Sequence, residues 1–501
     1  MSQVLKVRNP RTGEYDYTFT APDASSLRER TQALRAEQQD WESLGLEGRQ
    51  AVMEAFAKAL ETNTDAIAAA LEIDTGRRRI ARMEVQGTIA SIRGWIAQTS
   101  HLALDDAWIE GRANPSFKHR PQWMAYSLVG VISPWNFPLT LSMIDTIPAL
   151  LAGCAVMIKP SEVTPRFAAP FLDVIKTVPE LAKVLDIAPG DGMTGAALVD
   201  QADLICFTGS VATGRKVGAQ AGANLIPAFL ELGGKDPLLV LEGAPLDLAV
   251  RAALRGSVLS TGQACQSIER VYVHRSLYDA FVPKLVEAAQ AVRFNWPSIE
   301  AGEIGPMIFD RQADIIQAQW QDAVAKGATI LTGGTVETHG GGRWIAPTVI
   351  TNVTHDMAIM REETFGPVIP VMAFDSVEEA LALANDTEFG LSAAVFGPDV
   401  ESAEAVARHI EAGAISINDA ALTALFHEAE KQSFKASGMG PSRMGLAGYT
   451  RFFRRKALIA NTGEPAPIQA FCEDADGAPP PPSRPSPDDE SRPRFPRFFR
   501  R

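Results

Sequence analysis

YSLVGVISPWNFPL, residues 126–139, passes from a short apolar run into a turn fixed by two prolines and then into a longer apolar stretch. LVGVI reads as a strand, and the SPWNFPL loop that follows it is the punctuation before a helix. The same sentence is repeated downstream in AVMIKP (155–160), LICFTG (204–209), IPAFLEL (226–232) and PLLVL (237–241), each closed by Gly or Pro and followed by a helical stretch. Strands alternating with helices imply an α/β protein with parallel sheets covered on both faces. In such sheets ligands bind outside the carboxyl ends of the strands, which is where SPWNFPL lies.

Working outward, LRERTQALRAEQQDW (27–41) and GRQAVMEAFAKALETNTDAIAAALEIDTG (48–76) carry apolar residues at spacings of three and four, so residues 25–75 read as amphipathic helices closing near Gly76. The N-terminus before them is polar and strand-like. Past residue 265 a second alternation begins: RVYVHRS (270–276), the helix YDAFVPKLVEAAQAV (278–292), then ATIL, WIAPTVI (344–350), PVIPVMAF, SAAVF and AISIND. This is enough for a second α/β domain. Residues 109–126, IEGRANPSFKHRPQWMAY, suit neither a crossover helix nor a core strand and read as a projecting hairpin. From about Gly463 the chain turns rich in Pro, Ser and acid, a composition that stays disordered, and ends in the basic-aromatic tip RPRFPRFFRR (492–501).

Bulk properties agree. With 501 residues and 46% hydrophobic composition the chain buries a large core, in about three domains at ~150 residues each. A formal charge of −13 argues against a nucleic-acid partner, which needs a basic face. Four scattered cysteines, with no C-x-x-C pair for a metal, suit a reducing cytoplasm. No apolar run reaches the ~20 residues of a membrane helix, and the polar N-terminus lacks the apolar core of a signal peptide.

Several short stretches carry chemistry. GQACQSIER (262–270) places Cys265 among small and amide side chains. Taken alone such a cysteine is a small buried hydrophobe. Its nearest motif, the caspase Q-A-C signature, fails because Ser267 follows Gln266 and the nearest upstream histidine is His119, far from the ~50 residues required. Asn136 in PWNFP, and Lys159 with Glu162 in IKPSE, sit at consecutive strand ends and read best as one pocket. Thr208-Gly209-Ser210 leads from a strand into a helix whose free amides suit a phosphate, with a plain capping role as the alternative. Gly190-x-Gly192-x-x-Gly195 is a weaker phosphate signal. Glu231 in LELGGKDP ends an apolar strand; desolvation there should raise its pKa and favour a base near neutral pH.

The ordered set SPWNFPL, VMIKPSE, FTGS, LELGGKDP, GQACxxxxR, EETFGPV (362–368) and ANDTEFGLSAAVF (384–396) resembles the NAD(P)-dependent aldehyde dehydrogenase superfamily over roughly residues 20–460. The resemblance implies two Rossmann-type parallel-sheet domains plus a small β oligomerisation arm: a cofactor domain (1–106 and 127–233), a catalytic domain (234–435), an arm with its return (107–126 and 436–463), and the tail 464–501 outside it. It implies Cys265 as nucleophile, the Asn136 amide and the Cys265 main-chain N–H as oxyanion donors, and Glu231 as the base that activates water. Ser133, Pro134, Trp135, Lys159, Ser161, Glu162, Gly192, Phe207, Thr208, Gly209, Ser210, Leu232, Glu363 and Phe365 become cofactor contacts. Glu162 at the adenosine ribose would favour NAD, with NADP possible. Retention of both Glu231 and Asn136 points to the hydrolytic branch rather than to transfer of the acyl group to coenzyme A.

Two departures from the family pattern bear on the substrate. Leu141, Ile144 and Asp145 stand where many members carry bulkier tunnel residues, and EKQSF (430–434) replaces the glycine-rich PFGG before Lys435-Ala436-Ser437-Gly438. The apolar lining suggests an aromatic or medium-chain aldehyde. The expected assembly is a homodimer or homotetramer, and the tail tip suits an anionic surface or a docking partner, either as an accessory or as the main role of a scaffold built on the same fold.

Overall fold

The computed structural model describes residues 3–473 apart from 103 and 105. The proline-rich stretch and basic-aromatic tip, from residue 474 onward, lie outside the described residues. Among the described residues there are two compact units, 3–101 with 125–452, and the described part of 102–124 with 453–473.

In the larger unit, Leu128–Ile132 is buried at every position, which is why it carries no polar alternation. It is the central strand of a six-stranded sheet in the order Gly438–Met439, Ala228–Glu231, Leu204–Thr208, Leu128–Ile132, Ala155–Lys159, Leu185–Ile187. All neighbours run parallel except Gly438–Met439, which is antiparallel to Ala228–Glu231. Chain order reverses direction between Leu128–Ile132 and Leu204–Thr208, so the crevice at their carboxyl ends is the topological switch point. SPWNFPL and Thr208-Gly209-Ser210 flank it.

A second sheet of seven strands runs Thr329–Thr332, Thr348–Thr351, Val368–Phe374, Ile268–His274, Asp236–Val240, Ser392–Phe396, Ala414–Ile417, parallel but for its first edge strand. WIAPTVI, expected as one strand, is two: Gly342–Ile345 pairs in a separate hairpin and Thr348–Thr351 joins the sheet. Pro347 between them has no N–H to give a ladder.

The N-terminal residues form an antiparallel hairpin, Gln3–Arg8 with Tyr15–Ala21. Helices follow at Ala24–Ser43, Gly45–Thr62 and Thr64–Thr75, the first capped by Asp23, which accepts from the Ser26 N–H at 3.0 Å. Gly76 ends the third with φ +64°, and a Cβ there would meet Pro306 at 2.5 Å, so glycine is required twice over. A fourth long helix, Arg78–Ser100, was not separated by the periodicity.

The smaller unit contains a three-stranded sheet ordered Phe453–Asn461, Phe117–Ala125, Ile109–Glu110, the projecting hairpin plus the RRKALIAN strand. The Arg455 guanidinium lies 4.3 Å above the Trp123 ring. Phe453–Asn461 is largely exposed. Residues 436–452, grouped with the arm on sequence, lie in the larger unit, because Gly438 and Met439 extend the six-stranded sheet opposite Glu231 and Leu230.

Candidate active site

The loop after Leu128–Ile132 is pinned before any ligand arrives. The Ser133 N–H donates to the Lys159 carbonyl at 3.1 Å, and its hydroxyl meets Ser142 Oγ at 2.7 Å. Pro134 carries the turn to Trp135, whose ring meets Phe365 edge-on at 5.3 Å. Asn136 is buried, and its Nδ2 donates to the Gln263 carbonyl at 3.0 Å, two residues before Cys265. Arg77, buried at the junction of two helices, donates both to the Asn136 carbonyl and to Ser260 Oγ, tying the two loops together from behind.

Cys265 follows a turn in which Ser260, Thr261 and Gly262 all have φ near +60°. Gly262 is obligatory, since a Cβ would lie 2.3 Å from the Gly366 backbone. The Cys265 side chain is half-buried, between the extremes of buried Cys154 and Cys206 and exposed Cys472. Burial pushes its thiol up to about 12; Lys431 opposes that, while Glu363, Asp236 and Glu231 reinforce it. Five residues on, Arg270 is fully buried and donates to the carbonyls of Lys235, Leu383 and Ala384, holding the strand behind the cysteine.

Glu231 departs from expectation. Burial, the largest influence, does push its carboxyl up, but Arg443, Lys431, the Ser433 hydroxyl and Arg451 outweigh it and hold the group below the ordinary carboxylate range. Ser433 Oγ donates to Oε2 at 3.0 Å, Lys431 Nζ stands 3.7 Å from the same oxygen, and Arg443 Nε is 4.0 Å from Oε1. The cations arrive from more than 190 residues downstream, so local hydrophobicity gave the wrong sign. Three residues past Glu231, a Cβ on Gly234 would lie 2.8 Å from the Cys265 carbonyl. The loops bearing Asn136, Cys265 and Glu231 therefore converge.

Asp145, placed on sequence at a tunnel position, is a buried ion-pair hub: Arg443 Nη2 donates to it at 2.9 Å and Arg451 pairs with its other oxygen. Arg443 also donates to Thr208 Oγ1 at 2.8 Å, joining the hub to the switch-point strand. Removing one member of such a cluster strands the others without counter-charge. Asp145→Ala is expected to lower unfolding free energy by about 3–5 kcal/mol, read as a fall in denaturant midpoint at unchanged slope.

The residues expected to hold a cofactor surround the crevice. Lys159 is buried with its ammonium 3.5 Å from Glu162, and Ser161 Oγ accepts from the Val163 N–H at 3.2 Å. Phe207 packs so closely under Gly209 that a Cβ there would meet its ring at 2.6 Å. Ser210 caps the helix Val211–Ala223, accepting from Thr213 N–H at 3.3 Å, and Leu232 fills the notch left by Gly214 on that helix. Gly192 opens the helix Gly192–Val199, where the Asp191 carboxylate already takes the amides of Met193 and Thr194. That acid occupies the position an anion would need, so the glycine pattern around it serves a cap.

Opposite, Glu363 accepts from the Gly234 N–H at 3.1 Å and is pushed up to about 8 by burial and the Glu269 carboxylate. Glu269, paired with buried Lys235 at 2.8 Å, accepts from the N–H groups of Thr364 and Phe365 and thereby fixes Phe365 at φ +53°. An open switch-point crevice, a lysine and hydroxyls on one side, and two aromatic edges on the other fit a dinucleotide. Sequence reasoning missed Arg77, Lys431, Arg443 and the Lys235–Glu269 pair. Only Lys431 had a signal, as a charge in place of the family's aromatic-glycine motif.

The sequence profile of the aldehyde dehydrogenase family matches residues 1–458. A protein of Mycolicibacterium smegmatis described as a succinate-semialdehyde dehydrogenase [NADP(+)] is 35% identical over 433 residues, 85% of this chain and 83% of that one. The structure of an Anabaena variabilis protein, PutA, described as an aldehyde dehydrogenase, superposes with a TM-score of 0.90 at 50% identity, covering 93% of this chain and 99% of that chain. Betaine aldehyde dehydrogenase of Staphylococcus aureus in complex with NAD+ gives a TM-score of 0.86 at 28% identity, over 92% of this chain and 93% of its own. On the family match, the relatives and the shared fold, the chain belongs to the aldehyde dehydrogenase family and is an NAD(P)-dependent oxidoreductase.

Proposed function

We propose that the protein oxidises an aldehyde to the free carboxylic acid, with Cys265 as nucleophile, Asn136 as oxyanion donor and Glu231 as the hydrolytic base. The observation that carries this reading is the convergence of three loops, through the Asn136 bond to Gln263 and the close approach of Gly234 to Cys265. The Cys265 sulfur adds to the aldehyde carbon, and the oxygen that gains charge is met by the Asn136 amide and the Cys265 N–H. NAD(P)+, when bound, supplies the hydride acceptor that leaves the adduct as a thioester. Glu231 then takes a proton from water as the water attacks the thioester carbonyl, and the sulfur leaves.

Ser133, Pro134, Trp135, Lys159, Ser161, Glu162, Phe207, Thr208, Gly209, Ser210, Leu232, Glu363 and Phe365 would hold the cofactor. Glu162, half-exposed beside Lys159, repels a 2′-phosphate and favours NAD. For the substrate, Thr423 donates to Gln266 Oε1 at 2.5 Å, tying the 421–426 loop to the neighbour of Cys265, and that loop exposes Leu425 and Phe426. This supports an aromatic or medium-chain aldehyde. The six-stranded half serves the cofactor and the seven-stranded half carries the nucleophile. The largely exposed Phe453–Asn461 strand supports a homodimer or homotetramer, and the free cysteines support a reducing cytoplasm.

Incubation with an aldehyde panel and NAD+ is expected to give one equivalent of acid per NADH, at a rate that added coenzyme A does not change. Product identification by mass spectrometry decides it: an acyl-coenzyme A thioester would overturn the hydrolytic assignment.

A further inference from the structure

Between Ala421 and Ala436 three large apolar side chains face outward while one lysine is turned in. Leu425, Phe426 and Phe434 are 70%, 55% and 45% exposed, whereas Lys431 is 6% exposed. Lysine is almost never buried without a partner, and here one is turned inward from a surface segment. The chain is fixed in that orientation: the Lys431 N–H donates to Ser442 Oγ at 3.0 Å, and Glu430 beside it accepts from the Ala447 N–H at 2.7 Å.

Arg443 and Arg451 face Asp145 and Glu231. On the far side Lys235 is hydrogen-bonded to Glu269. Two further buried carboxylates, Asp236 and Glu363, lie in the same region, and Lys431 acts on the first of them. Lys431 stands 3.7 Å from Glu231 Oε2, beyond hydrogen-bond length, and its ammonium makes no hydrogen bond to the described residues. Among the charges that act on the Cys265 sulfur, Lys431 and Arg443 favour a thiolate, Lys431 being the larger influence, and Glu363, Asp236 and Glu231 oppose it. Glu231 in turn is faced by Lys431, Arg443, Arg451 and the Ser433 hydroxyl.

We propose that Lys431 is a positioning residue, a buried ammonium shared by two anions that the reaction uses in turn: the Cys265 thiolate before acylation, and Glu231 after it. This rests on the reading of Cys265 as nucleophile and Glu231 as base. In the fraction of enzyme whose thiol has lost its proton to solvent, the negative sulfur is favoured by the Lys431 ammonium. Acylation makes the sulfur neutral, and the carboxylate that must work next, Glu231, is the one 3.7 Å from Lys431 and held ionised by it.

The test is the pH dependence of Cys265 alkylation by iodoacetamide in the full-length enzyme, followed on the Cys265 peptide so that exposed Cys472 does not intrude. Lys431→Met is expected to move the alkylation midpoint up by about one unit or more, tenfold in rate at fixed neutral pH, with Lys431→Arg close to wild type. The acid limb of thioester hydrolysis should move up as well. Lys435→Met, which removes a neighbouring cation paired outward with Glu411, should shift neither. Lys431→Met that melts as wild type and keeps both profiles overturns the proposal; should that variant fail to fold, Lys431→Gln carries the same two readouts. The two readings fail separately. If Glu231→Gln leaves hydrolysis intact, the base assignment is lost while the alkylation shift still stands or falls on Lys431.

Discussion

Cys265→Ser is expected to lose turnover by on the order of 10⁴-fold or more, while the folded protein keeps its melting temperature and its cofactor binding. The reason is chemical, since the substitution is nearly isosteric. A thiolate is the attacking species, and a serine hydroxyl in the same place has no comparable anion available near neutral pH. The pocket in fact works against even the thiol. With its pKa pushed up to about 12 by burial, only a small minority of the sulfur is ionised in the free enzyme near neutral pH. The sign follows directly. A raised thiol pKa makes the thiolate fraction grow about tenfold per pH unit until that value is approached, so single-turnover acylation should climb with pH across the neutral range. In the proposed mechanism Asn136 and the Cys265 N–H act on the adduct and not on the thiol, lowering the barrier after the sulfur has attacked. Stopped-flow NADH formation against pH measures both the loss in Cys265→Ser and the slope in wild type. A serine variant with ordinary turnover would falsify Cys265 as the nucleophile.

What the chain discloses unaided is governed by how local the cause is. LVGVI declares a strand because every one of its residues is buried, and Gly76 declares a helix end because no other residue tolerates both its φ and Pro306 at its α-carbon. WIAPTVI misled because a run of β-formers says nothing about which sheet each half joins; only Pro347 marked the break. Of the candidate site, Asn136, Cys265 and Glu231 were singled out by their motifs, and the fold brings the three loops that carry them together. The electrostatics were not. Asp145 reads as an odd tunnel residue until Arg443 and Arg451, some 300 positions later, fold onto it. Glu231 reads as a desolvated acid until Lys431 and Arg443 reach it from the other end of the chain. Charge balance in a buried cluster is a property of the assembled fold, and one sequence window carries no record of it.

Glu231→Gln is expected to separate the two halves of the reaction. The first turnover keeps its burst of NADH, and steady-state production then falls by about 10²–10⁴-fold, the range a positioned general base supplies. The acyl-enzyme should accumulate, visible as intact protein heavier by one acyl group. The depressed pKa adds a second, sharper expectation. A base must be ionised to act, and a carboxyl held below its ordinary range stays ionised until the pH has fallen below that range. Thioester hydrolysis should therefore stay level from neutral pH down past about 5, whereas a desolvated carboxyl without cations would lose activity well above that. The same cations carry a cost: a weaker base takes a proton less readily from attacking water. Arg443 and Lys431 thus favour availability of the carboxylate over its strength, and proximity to the thioester has to supply the difference. Rapid-quench measurement of acyl-enzyme decay in wild type and Glu231→Gln between pH 4 and 8 reads both quantities. A variant that hydrolyses at the wild-type rate, or a wild-type limb near neutrality, would place the proton-accepting step on another group.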